Sequence, residues 1–499
     1  MKSRSSRANS GYIGQNRLSD DYGVISENKN YLRSNQTQWI RPANWLPLPS
    51  MTAGDQMFAG LLAVYPGDPA LTGPTASGNF VAFSVTGCTY TVDWGNGTTQ
   101  SYSAGVTAQY NYDFGSISAA TTITGVEGLS GYRQTVIKAY PTVVGTTFSG
   151  LDMMGVYSQA GYTFGGGGSR IVITNWLDMR IAGSTITSFA LGKNPSIGIG
   201  PYPSRRLQQF EWVGTSGITD AGFPKFSTTS YGILGGSCEL KSVKGKDWLS
   251  NNTNFSYMFS GCSSLQTIPL LNTASGTIFS NMFNGCSSLQ TIPLLNAASG
   301  NDFSGMFNGC SSLQTIPLLN TANGTNFSVM FYGCSSLQSI PLLNTASGNN
   351  FSVMFSSCPS LQTIPLLNTA SGTNFSNMFS QCSSLQTIPL LNTAKATNIA
   401  NMFSFCRNLQ SIPLLNFGAA TTITTPFNQC YSIKQVATSA PNATPWSLID
   451  LNLSPAAINQ VFANLPTATG SRTCNITNNW GAVGCDRTLA TAKGWTTQG

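Results

Sequence analysis

The stretch CSSLQTIPLLNTASGTIFSNMFNG, Cys262–Gly285, is followed without a break by CSSLQTIPLLNAASGNDFSGMFNG from Cys286. The same unit opens again at Cys310, Cys334, Cys358, Cys382 and Cys406, a period of 24 residues with no insertion. Nine cysteines from Cys238 to Cys430 fall on this grid, and only Cys88, Cys474 and Cys485 lie off it. A fixed period of this length is the mark of a stacked-repeat architecture, in which each unit is one coil. A lone coil has too few apolar side chains to offset the entropy of ordering 24 residues, so coils must stabilise one another and both ends need caps.

Within a coil, Leu289, Ile292 and Leu294 read as an apolar stretch around Pro293, and predict one short strand facing the core. Proline has no amide to donate, which places it at a strand margin or bulge. The asparagines that follow, Asn272, Asn296, Asn320, Asn344, Asn368 and Asn392, are expected to stack as a ladder whose amides serve turn backbone in the next coil. Phe279, Met282 and Phe283 form a second apolar set, and their F-x-x-M-F spacing predicts a helical turn on the coil's other side. The grid cysteines read as small buried hydrophobes with reduced thiols. Stacked equivalents about 4.8 Å apart with parallel Cβ vectors do not meet disulfide geometry. Cysteines 24 apart also lack the close pairing of a metal site.

The pattern CxxLxxIPLLN followed by FSxMFxxC closely resembles the BspA-type leucine-rich repeat. That resemblance implies a right-handed solenoid with a parallel sheet on one face, and roles in surface adhesion and recognition. It covers about 238–436. ITSFAL (Ile186–Leu191) and LQQFEW (Leu207–Trp212) look like degenerate opening coils. The expected fold is mainly β: a leucine-rich-repeat solenoid of 24-residue coils, preceded by a small β-sandwich and an extended arm. The expected boundaries are an arm at 1–50, a sandwich at 51–118, a β-rich linker at 119–180, the solenoid at 181–436 with regular coils over 238–430, and a cap at 437–499.

Composition bears on chemistry. Among 499 residues there are 24 Lys or Arg, 17 Asp or Glu and no His. Without imidazole there is no Ser-His-Asp or Cys-His nucleophile, no HExxH zinc site and no histidine proton shuttle. From Cys262 to Phe405 the only charged residues are Asp302 and Lys395, so two-carboxylate glycosidase chemistry has no place there. Elsewhere Asp178, Glu211 and Asp220 are isolated and read as solvated or capping. No enzyme, cofactor or metal is expected. The net charge of +7 is modest, and no basic stripe accompanies the solenoid, so nucleic acid is not an expected partner. No window approaches the roughly 18–20 apolar residues of a membrane span, and no apolar stretch of signal-peptide type follows Arg7.

The flanks carry finer signals. YTVDWGNGTTQSY, from Tyr90, predicts a hairpin turning at Gly-Asn-Gly. Asp93-Trp94-Gly95-Asn96-Gly97 resembles the turn of a PKD-like domain, with Asn96 where an acidic residue is usual, which weakens a calcium reading. Ser454-Pro455 predicts a helix start, Ser as N-cap and Pro in the first turn. Asp486 predicts the cap of a second short helix ending at Gly494. The resulting terminal segment resembles caps on phage-encoded repeats of this type.

Residues 1–50 hold Lys2, Arg4, Arg7, Arg17, Lys29, Arg33 and Arg41 against Asp20, Asp21 and Glu27, a local +4. This segment is expected to dock on a neighbouring protein through Trp39, Trp45, Arg41 and Tyr12. SGYIGQNRLSDDYGVISENKNYL resembles the openings of virion structural proteins of tailed marine bacteriophages. That resemblance implies an appendage, a fibre or decoration protein of a virion assembled in the host cytoplasm. Its partners would be other virion proteins, a homo-oligomer is expected, and the solenoid could contact a host glycan or protein. The alternative is a receptor-binding adhesin. Tyr257, Asn281, Asn301 and Asn323, among the few positions that change between coils, are the candidate recognition surface.

Overall fold

A computed structural model describes residues 40–66, 79–124, 131–153, 176–186, 188–190, 207–214, 239–245, 249, 251–439 and 446–499. Residues Met1–Pro42 form one unit and Ala43–Gly499 a second. Cys238, Asp220, Trp39 and Tyr12 lie outside the described residues.

The second unit begins with a sandwich larger than expected. Its strands are β1 (Met57–Val64), β2 (Phe80–Thr86), β3 (Tyr90–Asp93), β4 (Thr99–Tyr102), β5 (Thr107–Asn111), β6 (Arg133–Pro141), β7 (Gly150–Asp152), β8 (Trp176–Ala182), β9 (Ser188–Ala190), β10 (Gln209–Val213) and β11 (Ser242–Lys244). One sheet runs β11-β10-β8-β1-β6-β3-β4 and the other β5-β2-β7-β9. Rings from both close the core: Phe58 meets Phe83 at 5.4 Å, and Phe189 meets Trp212 at 5.6 Å. The expected break at 118 is therefore not a boundary. β1 pairs antiparallel with β6 (Phe58 opposite Ala139) and with β8 (Phe58 opposite Ile181), so parts of 119–180 supply strands of the same sheet. The β3–β4 hairpin is present as read. Gly95 sits there at φ +73°, and a Cβ on it would strike the Val136 carbonyl oxygen and Thr135 Oγ1.

From β8 onward the sheet becomes parallel, with Phe210 opposite Met179 on one side and Val243 on the other. LQQF at Leu207 and LKSV at Leu240 thus lie in register as opening coils, matching LQTI at Leu265. ITSFAL enters the other sheet through β9, which pairs parallel with β7. One hydrophobic core runs from Phe58 to Trp495.

Regular coils occupy 251–439. The inter-coil ladder runs along the Phe–Met–Phe side. Asn254, Ile278, Asp302, Asn326, Asn350, Asn374, Asn398 and Thr422 form successive parallel bridges. On the Ile–Pro–Leu side, the expected strand is absent except where β12 (Ser411–Ile412) pairs with β13 (Gln435–Val436). Proline interrupts the ladder there by removing a donor. In the regular coils sparse backbone bonds remain, such as Gln290 N to Gln266 O at 3.4 Å, while at the far end Lys434 N reaches Gln410 O at 2.8 Å and Ala437 N reaches Ile412 O at 3.1 Å.

The cap contains a parallel sheet of β14 (Trp446–Ser447), β15 (Arg472–Asn475) and β16 (Trp495–Gln498). Helix α1 (Pro455–Asn464) starts as predicted, with Ala457 N donating to Ser454 Oγ at 3.1 Å. Helix α2 (Thr488–Thr491) has Asp486 Oδ1 accepting from Thr488 N at 3.0 Å, and the chain turns at Gly494 with φ +80°. Trp446 stands edge-on to Phe427 at 5.6 Å and 85°, closing the end of the core.

Candidate functional site

The chemistry of the solenoid's surfaces follows from how each coil turns. On the Phe–Met–Phe side, Met282 N donates to Phe279 O and Cys286 N to Phe283 O, at 3.2 and 3.0 Å. Residues 281 and 285 have φ of +55° and +75°. Two consecutive turns with a left-handed third residue therefore replace the expected helical turn. The geometry turns alternate amides toward the next coil: Phe279, Asn281, Phe283 and Gly285 donate to the carbonyls of Asp302, Ser304, Met306 and Asn308 at 2.7–2.9 Å.

Behind these turns stand two columns of rings. Phe259, Phe283, Phe307, Phe331, Phe355, Phe379, Phe403 and Phe427 stack at 5.4–5.9 Å with planes within 11°. Phe255 to Phe375 form the other column. Such offset stacking suits the aromatic quadrupole. Cys262, Cys286, Cys310, Cys334, Cys358, Cys382 and Cys406 are buried free thiols. They are more than small hydrophobes: Cys334 Sγ donates to Phe307 O at 3.1 Å and Cys406 Sγ to Phe379 O at 2.9 Å, a pattern repeated along the row. Burial pushes the Cys358 and Cys430 thiols up to about 12. Cys474 is likewise pushed up to about 12, by burial first and by neighbouring Cys485 second.

The asparagine row differs from expectation. Asn272, Asn296, Asn320, Asn344, Asn368 and Asn392 accept from the amide two residues on in their own coil, at 3.1–3.3 Å, rather than serving the next one. The inter-coil bond comes from the following threonine: Thr321 Oγ1 donates to Asn344 O and Thr345 Oγ1 to Asn368 O, both at 2.8 Å. Short polar side chains favour such local backbone bonds.

On the Ile–Pro–Leu side, Leu289 and Ile292 are buried as read, but Leu294 is 59 % exposed and Leu295 takes the core position. Leu270, Leu318, Leu342, Leu366, Leu390 and Leu414 share that outward place. The signal was in the sequence, because neighbouring residues of extended chain face opposite ways and both leucines of IPLLN cannot point inward.

The candidate recognition residues have structural tasks. Tyr257 and Asn281 occupy left-handed turn positions, φ +57° and +55°, as do Val329, Val353 and Asn377. Asn323 Nδ2 donates to Ala298 O at 2.8 Å. Asn301 is exposed, its backbone joining Thr277 and Thr325 of the flanking coils. Trp45 is not a docking anchor for a neighbour. It is 6 % exposed and donates through Nε1 to Tyr132 Oη at 3.2 Å, while Gln134 brackets Asn44 and Leu46. Residues 43–50 thus belong with the sandwich, and Arg41 falls in the other unit. Asp178 is buried rather than solvated, accepting from Gln209 Nε2 at 3.2 Å, and Glu211 pairs with Arg180 at 2.8 Å.

Repetition breaks at the solenoid's far end. Gln386, Asn408, Gln410, Tyr431, Ser432, Lys434 and Asn452 line an open polar depression of about 350 Å³. Tyr431 is 52 % exposed at its rim.

A family model described as "Mycoplasma protein of unknown function, DUF285" matches residues 253–365 and 343–440, less than half of the chain. No curated protein matches this sequence. Among solved structures, a leucine rich cell surface protein from Faecalibacterium prausnitzii is similar at 15 % identity, with 61 % of this chain and 92 % of that one covered and a TM-score of 0.21. The TLR13–ssRNA13 complex is similar at 14 % identity, 60 % and 43 % coverage and TM-score 0.23. The Toll–Spatzle complex of Drosophila is similar at 13 % identity, 59 % and 50 % coverage and TM-score 0.21. The chain spans about half the length of those two matched chains. The architecture itself is a leucine-rich-repeat solenoid.

Proposed function

We propose that this protein is a structural appendage, a stiff solenoid spacer set on a β-sandwich base, carried on a tailed-phage virion and attached through the unit before Ala43. One observation carries the spacer reading. The residues that change most between coils, such as Asn281, Gly305 and Val329, sit at left-handed turn positions, while the Gln row from Gln266 to Gln410 and the exposed Leu row from Leu270 to Leu414 repeat unchanged. Variation of that kind tracks backbone geometry, whereas a surface selected for one ligand varies where it is exposed. The sandwich then acts as the base, and the PKD-like character of its Asp93–Gly97 turn belongs to this proposal. Co-expression with the particle proteins encoded beside it tests the attachment. The full chain is expected in purified particles, and a chain lacking residues 1–42 is expected to be lost from them. Truncated chain found in particles at full occupancy would sink this reading.

A second reading, recognition of a host glycan, is favoured by the depression at Tyr431. An exposed aromatic face beside amide side chains and Lys434 suits a sugar ring and its hydroxyls. Glycan-array binding lost in Tyr431→Ala would support it, and an array without binders would remove it.

A further inference from the structure

Seven leucines, from Leu270 to Leu414, recur once per coil and are 57–64 % exposed, while the isoleucine and second leucine of each IPLL segment and the Phe, Met and Phe of each FxxMF segment are buried. Gln and Thr or Ser rows flank them, and Asp302 and Lys395 both lie outside the IPLL segments. At roughly 100 Å² of exposed surface per leucine, the stripe presents about 700 Å² of apolar surface, more than the roughly 300–600 Å² of the largest patch on a typical monomer. It is also close to the roughly 800 Å² per partner of a standard stable interface.

We propose that this stripe is an interface between two copies of this chain, packed face to face along their solenoids. A second copy matches it in three ways. Its leucines recur at the same coil spacing, so the two stripes stay in step along the whole length. Neither stripe carries charge, so no complementary partner charge is called for. A two-fold contact uses the same patch on both chains and closes, which leaves no free apolar surface to propagate. The inference stands apart from the virion reading, since it concerns only this face.

Sedimentation velocity on the full chain tests it. The wild-type protein is expected at twice the chain mass, and Leu294→Asn/Leu342→Asn/Leu390→Asn at the single-chain mass, with far-UV circular dichroism unchanged because these positions are exposed. Leu342 is the middle of the seven and meets its own copy whichever way the chains run. Under mild oxidation Leu342→Cys should therefore give a disulfide-linked dimer, whereas Tyr332→Cys, on the turn side of the coil, should not. The grid thiols from Cys262 to Cys430 are buried and should not compete. A monomeric wild type, a dimer that survives the triple substitution, or equal cross-linking at Tyr332 overturns the proposal. A monomer that dimerises only when residues 1–42 are removed also overturns it, and would assign the stripe to that segment.

Discussion

Cζ of Phe327 lies 2.5 Å from where a Cβ on Gly324 would stand, and Cδ2 of Phe303 in the preceding coil lies 3.1 Å from the same point. The glycine of each N-x-A-x-G turn is thus required by ring packing, since none of Gly276, Gly300, Gly324, Gly348 and Gly372 has a positive φ. The chain itself contains the compensated form: where the ring is replaced by Ile399 and Ile423, the glycine is replaced by Ala396 and Ala420. Gly324→Ala alone should lower stability by about 1–3 kcal/mol through overpacking. Adding Phe327→Ile should cost less than the sum of the two single changes, giving a coupling of about 1 kcal/mol or more. A double-mutant cycle by denaturant unfolding reads this, and additive effects would refute the packing account.

Val329 and Val353 hold φ of +60° and +62°, where equivalent coils use Gly305 or Asn377. A β-branched side chain at left-handed φ is strained by roughly 1–2 kcal/mol. Val329→Asn is expected to raise the unfolding midpoint, by roughly 1 kcal/mol in free energy. Val329→Thr keeps the branched shape and should give no gain. Equal midpoints for the Asn and Thr variants would show that the turn does not carry this strain.

The period, the buried thiols and the Ser454 cap were legible because each is written in local sequence: a grid, a residue type and Ser454-Pro455. The side carrying the ladder was not. F-x-x-M-F spacing fits a helical turn equally well, and only the left-handed residues at 281 and 285 turn the amides toward the next coil. Nor was the extent of the sandwich, because β1 pairs with β6 and β8 across long separations, such as Phe58 with Ala139 and Phe58 with Ile181, and leaves no local mark. Trp45 looked like an anchor seeking a partner. Its partner is Tyr132 of the same chain.

Ala297 is buried at the position where Thr273, Thr321, Thr345 and Thr369 each donate to the next coil's asparagine carbonyl at 2.8 Å. Ala297→Thr should add the missing bond to Asn320 O and stabilise the solenoid by about 0.5–1.5 kcal/mol. Thr345→Ala should lose a similar amount. Hydrogen exchange of the amides in neighbouring coils, together with the unfolding midpoint, checks both. A destabilised Ala297→Thr would mean that this coil lacks room for the hydroxyl.

The thiol row predicts how the solenoid responds to alkali. Burial raises Cys358 and Cys430 to about 12 and raises Cys286, Cys334, Cys382 and Cys406 for the same first reason. An unfolded cysteine ionises near pH 8.5. Below that value both states hold the proton and stability does not depend on these groups. Above it the unfolded chain loses protons that the folded chain keeps, so stability falls as pH rises toward the folded value of about 12. Each thiol contributes up to about 1.4 kcal/mol per pH unit in that window, and the row acts together. Denaturant midpoints should be level from neutral pH to about 8, near the unfolded thiol value, and drop steeply beyond 9. Cys334→Ala should be less stable at neutral pH, having lost its bond to Phe307 O, yet show a shallower alkaline slope. An unchanged slope in that variant would place the alkaline loss on the buried tyrosines of the sandwich instead of the thiol row.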